Sequence, residues 1–274
     1  MKCQICGNNI QDDSQFCRIC GTSLSASTGS GVGAAPPELH IDMKVIGTIN
    51  VPWRTHDVLI GAALVVIGAF SLVAIVAMLT DASATNSIMM LNFIIAATSA
   101  LLIFTSVILG PLKYRVPISK LGLKVHEGST FTVLGTSSAV LLSVLVFNTI
   151  YGAVVSHLGW STLEPPELPF GPNLGMVSLL FAGLLVTVVG PIAEEVFFRG
   201  FALPGLARSF GPVGAALTSS LLFSLAHASP SILIPTFFAG LLLAWLYLRT
   251  RSLLSCVIVH GAQNAVAYIV TITG

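Results

Sequence analysis

Long apolar runs dominate the chain from residue 58 onwards, and polar side chains are gathered into short breaks between them. A membrane-crossing helix needs about 20 predominantly apolar residues. Seven stretches meet or approach that length: 58–79, 88–112, 130–155, 174–194 with a helical continuation towards 209, 212–228, 231–248 and 253–272. Gly190 and Pro191 predict a bend in the fourth stretch, and Phe210-Gly211-Pro212 predicts a turn after it. Ser229-Pro230-Ser231 joins two short segments, one of which need not cross fully. The predicted fold is an all-α polytopic membrane protein with about seven transmembrane helices.

The first 57 residues follow another pattern. Four of the five cysteines lie within residues 1–24, a compact module. Residues 25–40 (SASTGSGVGAAPPELH) have a composition that cannot bury a core, which predicts a flexible linker, and 41–57 read as a polar or interfacial lead-in. The expected organisation is therefore a module at 1–24, a linker and lead-in at 25–57, and a membrane domain at 58–274. No charged segment followed by a short apolar run opens the chain, so the first membrane helix is expected to serve as its own insertion signal.

Composition agrees: 54% of the residues are hydrophobic, only 8% are charged, and the mean hydropathy is +0.92. The net charge of +1 gives no support to nucleic-acid binding. Lysine and arginine instead carry a topology signal. With the N-terminus placed in the cytoplasm and the spans alternating, the inner segments hold all 12 basic residues: Lys2, Arg18, Lys44 and Arg54; Lys113, Arg115, Lys120 and Lys124; Arg199 and Arg208; Arg249 and Arg251. The outer segments, around Asp81, Glu164-Pro165-Pro166-Glu167 and Pro230, hold none. The expected location is the cell membrane, with the cysteine module in the reducing cytosol.

That module contains Cys3-x-x-Cys6-Gly7 and Cys17-x-x-Cys20-Gly21. Two residues between sulfurs let one tight turn present both thiolates to a tetrahedral ion, so Cys3, Cys6, Cys17 and Cys20 are expected to hold one structural Zn2+ as a zinc ribbon. A module this small has almost no core, and metal binding would supply its folding free energy. No aromatic or basic stripe accompanies it, which points to regulation or a protein partner rather than DNA. A redox or disulfide pair is the alternative use of such cysteines.

Ionisable side chains inside the apolar runs are the candidate chemistry. Glu194, Glu195 and Arg199 lie in LLVTVVGPIAEEVFFRGF, His227 in TSSLLFSLAHAS, and His260 with Asn264 in SCVIVHGAQNAVAYIV. A charged residue at a helix centre costs roughly 2.5–3.5 kcal/mol to insert, while each Leu, Ile, Phe or Val returns only about 0.3–0.6. These groups must therefore be paired, neutralised or turned to a wet cavity. A turn near Phe210-Gly211-Pro212 would bring Glu194 and His227, each about sixteen residues from it, to one depth. Glu195 and Arg199 are spaced to pair along a helix, more readily as a structural pair than a catalytic one. Phe223 and His227 share a face, as do Cys256, His260 and Asn264, with Cys256 expected only to pack. Gly214, Ala215, Ala216, Ser219 and Ser220 permit close helix packing.

Several chemistries fit such a set. A carboxylate beside a histidine can activate one water as a general base. His and Asn on another helix can donate to a developing oxyanion, or the imidazoles can hold a metal ion that does so. His126-Glu127 does not continue into an HExxH zinc motif, and no aspartate lies within a span, which excludes a di-aspartyl protease. Gly135-Thr136-Ser137-Ser138 offers only a faint serine-site pattern. A proton-coupled transporter is a rival use of buried Glu and His, but the two halves share no internal similarity.

Taken in order, Glu194-Glu195-x-x-x-Arg199, Phe223-x-x-x-His227 and His260-x-x-x-Asn264 resemble the three motifs of the CAAX prenyl protease and bacteriocin-processing (CPBP, or Abi) intramembrane proteases. The resemblance covers residues 110–272, including Lys120-Leu-Gly-Leu-Lys124, with no departure at the key positions. It implies an all-helical membrane fold, a cavity open towards the cytosol, and hydrolysis of a peptide or protein substrate. Glu194 and His227 would then handle water, His260 and Asn264 would stabilise the oxyanion, and Glu195 and Arg199 would support them. Whether such a site uses a metal or only glutamate-activated water stays open. A non-catalytic membrane binding or bacteriocin-immunity protein of the same fold is the alternative.

Overall fold

A computed structural model of the protein describes residues 51–79, 84–123, 129–164 and 175–273, with the backbone alone described at 84–87. The expected zinc ribbon, including Cys3, Cys6, Cys17 and Cys20, lies outside the described residues, as do the linker and most of the lead-in. All described residues belong to one unit, Ile46–Gly274.

The elements are α1 (Thr55–Leu79), α2 (Ala84–Val107), α3 (Thr130–Leu158), α4 (Met176–Leu184), α5 (Gly190–Glu195), α6 (Leu203–Ala226), α7 (Pro230–Thr250) and α8 (Leu253–Thr273). Three π-helical stretches interrupt them: Ile108–Leu112 after α2, and Leu185–Val189 and Val196–Ala202 on either side of α5. Short 3-10 turns span Ile118–Leu121 and Ser161–Leu163, and no strand occurs among the described residues.

Six helical runs among the described residues are long and apolar enough to cross a membrane, one fewer than the hydropathy pattern predicts. The expected fourth and fifth segments are a single run, Met176–Ala226, broken at Gly211 (φ +67°, ψ 174°). Only glycine adopts that backbone freely, and Pro212 follows it. The arms on either side fold back antiparallel. Ser219 Oγ donates to Phe198 O at 2.8 Å, and the rings of Phe198 and Phe223 meet edge to face at 5.2 Å. Both pairs are centred close to Gly211, which acts as the corner of a hairpin.

The bundle is dressed for lipid. Ile67, Phe70, Phe104, Phe131, Leu142 and Val177 are large apolar side chains left exposed. A lipid-facing surface takes such residues without the penalty water would impose. One end of the bundle collects the polar ties. Thr55 Oγ1 lies 2.7 Å from Ser209 Oγ, Leu253 N–H donates to Gly122 O at 3.3 Å, and Lys113 Nζ reaches Asp57 Oδ1 at 2.5 Å. Asp57 is fully buried and also accepts from Tyr114 Oη and from Arg54 N–H. The bond to Asp57 raises the Lys113 pKa above the ordinary lysine value. Trp53, inside the expected lead-in, is fully buried as well, and its indole N–H donates to Phe201 O at 2.9 Å.

Candidate active site

Two breaks of helical register place the carboxylates. Gly190 N–H donates to Leu185 O, five residues back, and Leu203 N–H likewise reaches Phe198 O. Each π turn rotates the helix beyond it relative to a continuous α-helix, and such turns are frequent at functional sites. Between them, α5 is only six residues long and ends in Glu194-Glu195. At Gly190-Pro191, where the sequence predicts a bend, the backbone stays helical and the register shifts lie on either side.

Glu195 is completely buried and faces Arg199 and His260. Its Oε1 accepts from Arg199 Nη1 at 2.9 Å and lies 2.8 Å from His260 Nδ1. Arg199, also completely buried, donates from Nη2 to Gly240 O at 3.1 Å and rests its guanidinium 4.6 Å from the centre of the Phe223 ring. Glu195 Oε2 and Arg199 Nε have no partner among the described residues. The expected Glu195–Arg199 pair is present, and His260 joins it from a helix 65 residues away.

Glu194 is the carboxylate left partly open, with 27% of its side chain exposed, and its Oε2 lies 3.7 Å from His260 Nε2. The two imidazole nitrogens of His260 are thus divided between neighbouring glutamates. Since Nδ1 is engaged with the buried one, Nε2 is the nitrogen left for chemistry.

His227 ends α6. Its Nδ1 lies 2.8 Å from Phe223 O, a carbonyl that can only accept, so Nδ1 carries the proton and Nε2 is the free basic atom. Ala228 then turns the chain out of the helix at φ +49°, a conformation costly for a residue with a Cβ. The Phe223 ring is shared by both histidines, edge to face with His227 at 4.9 Å and with His260 at 5.6 Å. The hairpin register sets the depth of His227. Phe198 meets Phe223, and one further α-turn from the bend along each arm stand Glu194 and His227. Among the described residues no hydrogen bond or ion pair joins these two directly.

Asn264 lies one turn beyond His260 on α8 and donates from Nδ2 to Val186 O at 3.0 Å, inside the first π turn beside α5. Cys256, on the same face, is fully buried with its thiol 3.5 Å from Leu243 O, as a packing role requires. His260 stands seven residues from the start of α8, roughly 10 Å along the axis from the end that carries the polar ties. The fit of a metal ion can be tested on this donor set. Glu194 Oε2 and His260 Nε2 are near each other, whereas His260 Nδ1 and Glu195 Oε1 are spent on one another. Among the described residues no group of three or more His, Cys, Asp or Glu side chains is arranged to hold a metal, and a catalytic zinc takes three protein ligands.

Residues 176–266 match the family model of the type II CAAX prenyl endopeptidases, Rce1-like. The match spans a third of the chain and contains Glu194, Glu195, Arg199, His227, His260 and Asn264. The six membrane-capable helices support a multi-pass membrane protein, and the matched segment takes in three of the helical runs that build the site. No curated protein and no solved structure matches the chain.

Proposed function

We propose that the protein is an intramembrane endopeptidase that hydrolyses a peptide bond with water activated by Glu194 and His227. The observation that carries the reading is the division of labour between adjacent glutamates. Glu195 is buried, paired and spent on Arg199 and His260, while Glu194 is partly open beside the remaining imidazole nitrogen. A proton acceptor must be reachable, and a positioning group must be fixed. One carboxylate suits each need.

In this reading a water bound by Glu194 and by Nε2 of His227 attacks the scissile carbonyl, and Glu194 takes its proton. The carbonyl oxygen gains the electron pair and becomes an oxyanion. Protonated His260 donates to it from Nε2, with Glu195 holding the ring at Nδ1, and Asn264 donates with the amide hydrogen not committed to Val186 O. Glu194 then returns its proton to the leaving nitrogen as the C–N bond breaks. Every step uses side chains of this chain.

The substrate is a peptide or protein reached within the membrane, with lipid around the bundle. We further propose that the N-terminus is cytoplasmic and that Cys3, Cys6, Cys17 and Cys20 hold a structural zinc whose module meets a protein partner. The test of the activity is a proteomic comparison of membranes carrying wild-type or Glu194→Ala protein. A peptide that accumulates uncleaved with the variant supports the reading. Identical cleavage patterns would favour a binding or immunity protein of the same fold.

A further inference from the structure

We infer that Asn264 seats α8 against the carboxylate-bearing helix, and that Pro191 creates the need for it. In an α-helix Gly190 N–H would serve Val186 O, but here it donates to Leu185 O. In the five-residue register the donor to Val186 O would come from position 191, and Pro191 has no N–H. Val186 O therefore lacks both helical partners, and a carbonyl so orphaned inside a membrane bundle must be satisfied from outside its own helix. Asn264 Nδ2 supplies that bond at 3.0 Å.

The neighbouring carbonyl fixes the same interface. Thr187 O loses its four-residue donor to the same proline, and it is this oxygen that Gly261 approaches. A Cβ built on Gly261 would stand 2.6 Å from it. Gly261 and Asn264 are three residues apart on α8, so two adjacent carbonyls set both the height and the rotation of that helix. His260 immediately precedes Gly261, and its contacts with Glu195 (2.8 Å) and Glu194 (3.7 Å) follow from that seating. Asn264 is thus a positioning residue for His260, in addition to the oxyanion role, which rests on the proposed peptidase reading.

The test is a double-mutant cycle in the full-length protein, with Asn264→Leu, Pro191→Ala and both together. Alanine at 191 restores an N–H that can serve Val186 O, so the asparagine becomes dispensable for satisfying that carbonyl, although not for tying α8 to it. Asn264→Leu should lower Tm by roughly 2–4 °C in the wild-type background and by less than half of that in Pro191→Ala. Additive shifts overturn the inference. Thermal unfolding needs no substrate, so this arm decides whether or not the protein cleaves peptides.

Where hydrolysis is measured, Asn264→Leu should displace the pH–rate profile, because His260 and Glu194 move apart. The double variant should keep the displaced profile, because the tie between α8 and Val186 O is still missing, even where its Tm recovers. A lower kcat with an unmoved profile in Asn264→Leu means an oxyanion donor only and overturns the positioning role. If Asn264→Leu does not fold, Gly261→Ala probes the same seat from the other contact. It should lower Tm, whereas Gly152→Ala, whose new Cβ would meet open space, should not. Equal behaviour of these two overturns the inference as well.

Discussion

Replacing Arg199 with methionine removes the cation from the centre of the site while keeping a long apolar side chain. The structure indicates how much should be lost. Arg199 is fully buried, bonds Glu195 Oε1 at 2.9 Å and Gly240 O at 3.1 Å, and stacks on Phe223. Breaking a buried ion pair by removing one partner costs about 3–5 kcal/mol, because the remaining charge is stranded. For a domain of this size that corresponds to a fall in Tm of roughly 6–20 °C. Arg199→Met with Glu195→Gln should lose less than the two single variants summed, since no charge is then stranded. The assay is thermal unfolding in detergent, followed by intrinsic tryptophan fluorescence. A Tm for Arg199→Met within about 2 °C of wild type, less than 1 kcal/mol on the same scale, would refute the claim that this pair is buried and coupled.

Further outcomes follow from other parts of the chain. Purified protein should contain one zinc, and any single replacement among Cys3, Cys6, Cys17 and Cys20 should release it while the membrane domain still unfolds at its usual temperature; freely alkylated thiols without zinc contradict this. Single cysteines at Thr28 and Thr162 in a cysteine-depleted background should react with an impermeant reagent in intact cells only at 162, and labelling at 28 reverses the topology. The raised pKa of Lys113 means that its bond to Asp57 stabilises the fold fully below the ordinary lysine value and is lost as pH rises through the higher folded value. Lys113→Met should therefore flatten the decline of Tm at alkaline pH, and an unchanged slope contradicts the assignment.

Several of the contacts around these residues are legible in the chain itself. A turn at Gly211 was visible as Phe-Gly-Pro, and it alone was enough to match the depth of Glu194 with that of His227. Hydropathy counted one span too many because it cannot distinguish two helices from one run folded at a single glycine. The Glu195–Arg199 pair was readable from a spacing of four, but its bond to His260 was not, since nothing local links positions 65 residues apart. The π turns were equally hidden. They add one residue to a turn without disturbing an already uniform apolar pattern, and so Asn264 read as a free donor rather than one with a bond to Val186 O. Nothing local marks Trp53 and Asp57, which stand in a stretch whose composition reads as interfacial, although both are completely buried.

Glu194 as the acceptor of water's proton is the centre of the proposed mechanism, and one measurement addresses it directly. Glu194→Gln keeps the size and polarity of the side chain but cannot take up a proton. On a reconstituted peptide substrate the variant should bind as wild type does, retain its Tm, and lose turnover by at least the 10²–10⁴-fold, on the order of magnitude, that a general base contributes. Proteolysis by Glu194→Gln at the wild-type rate would contradict the mechanism.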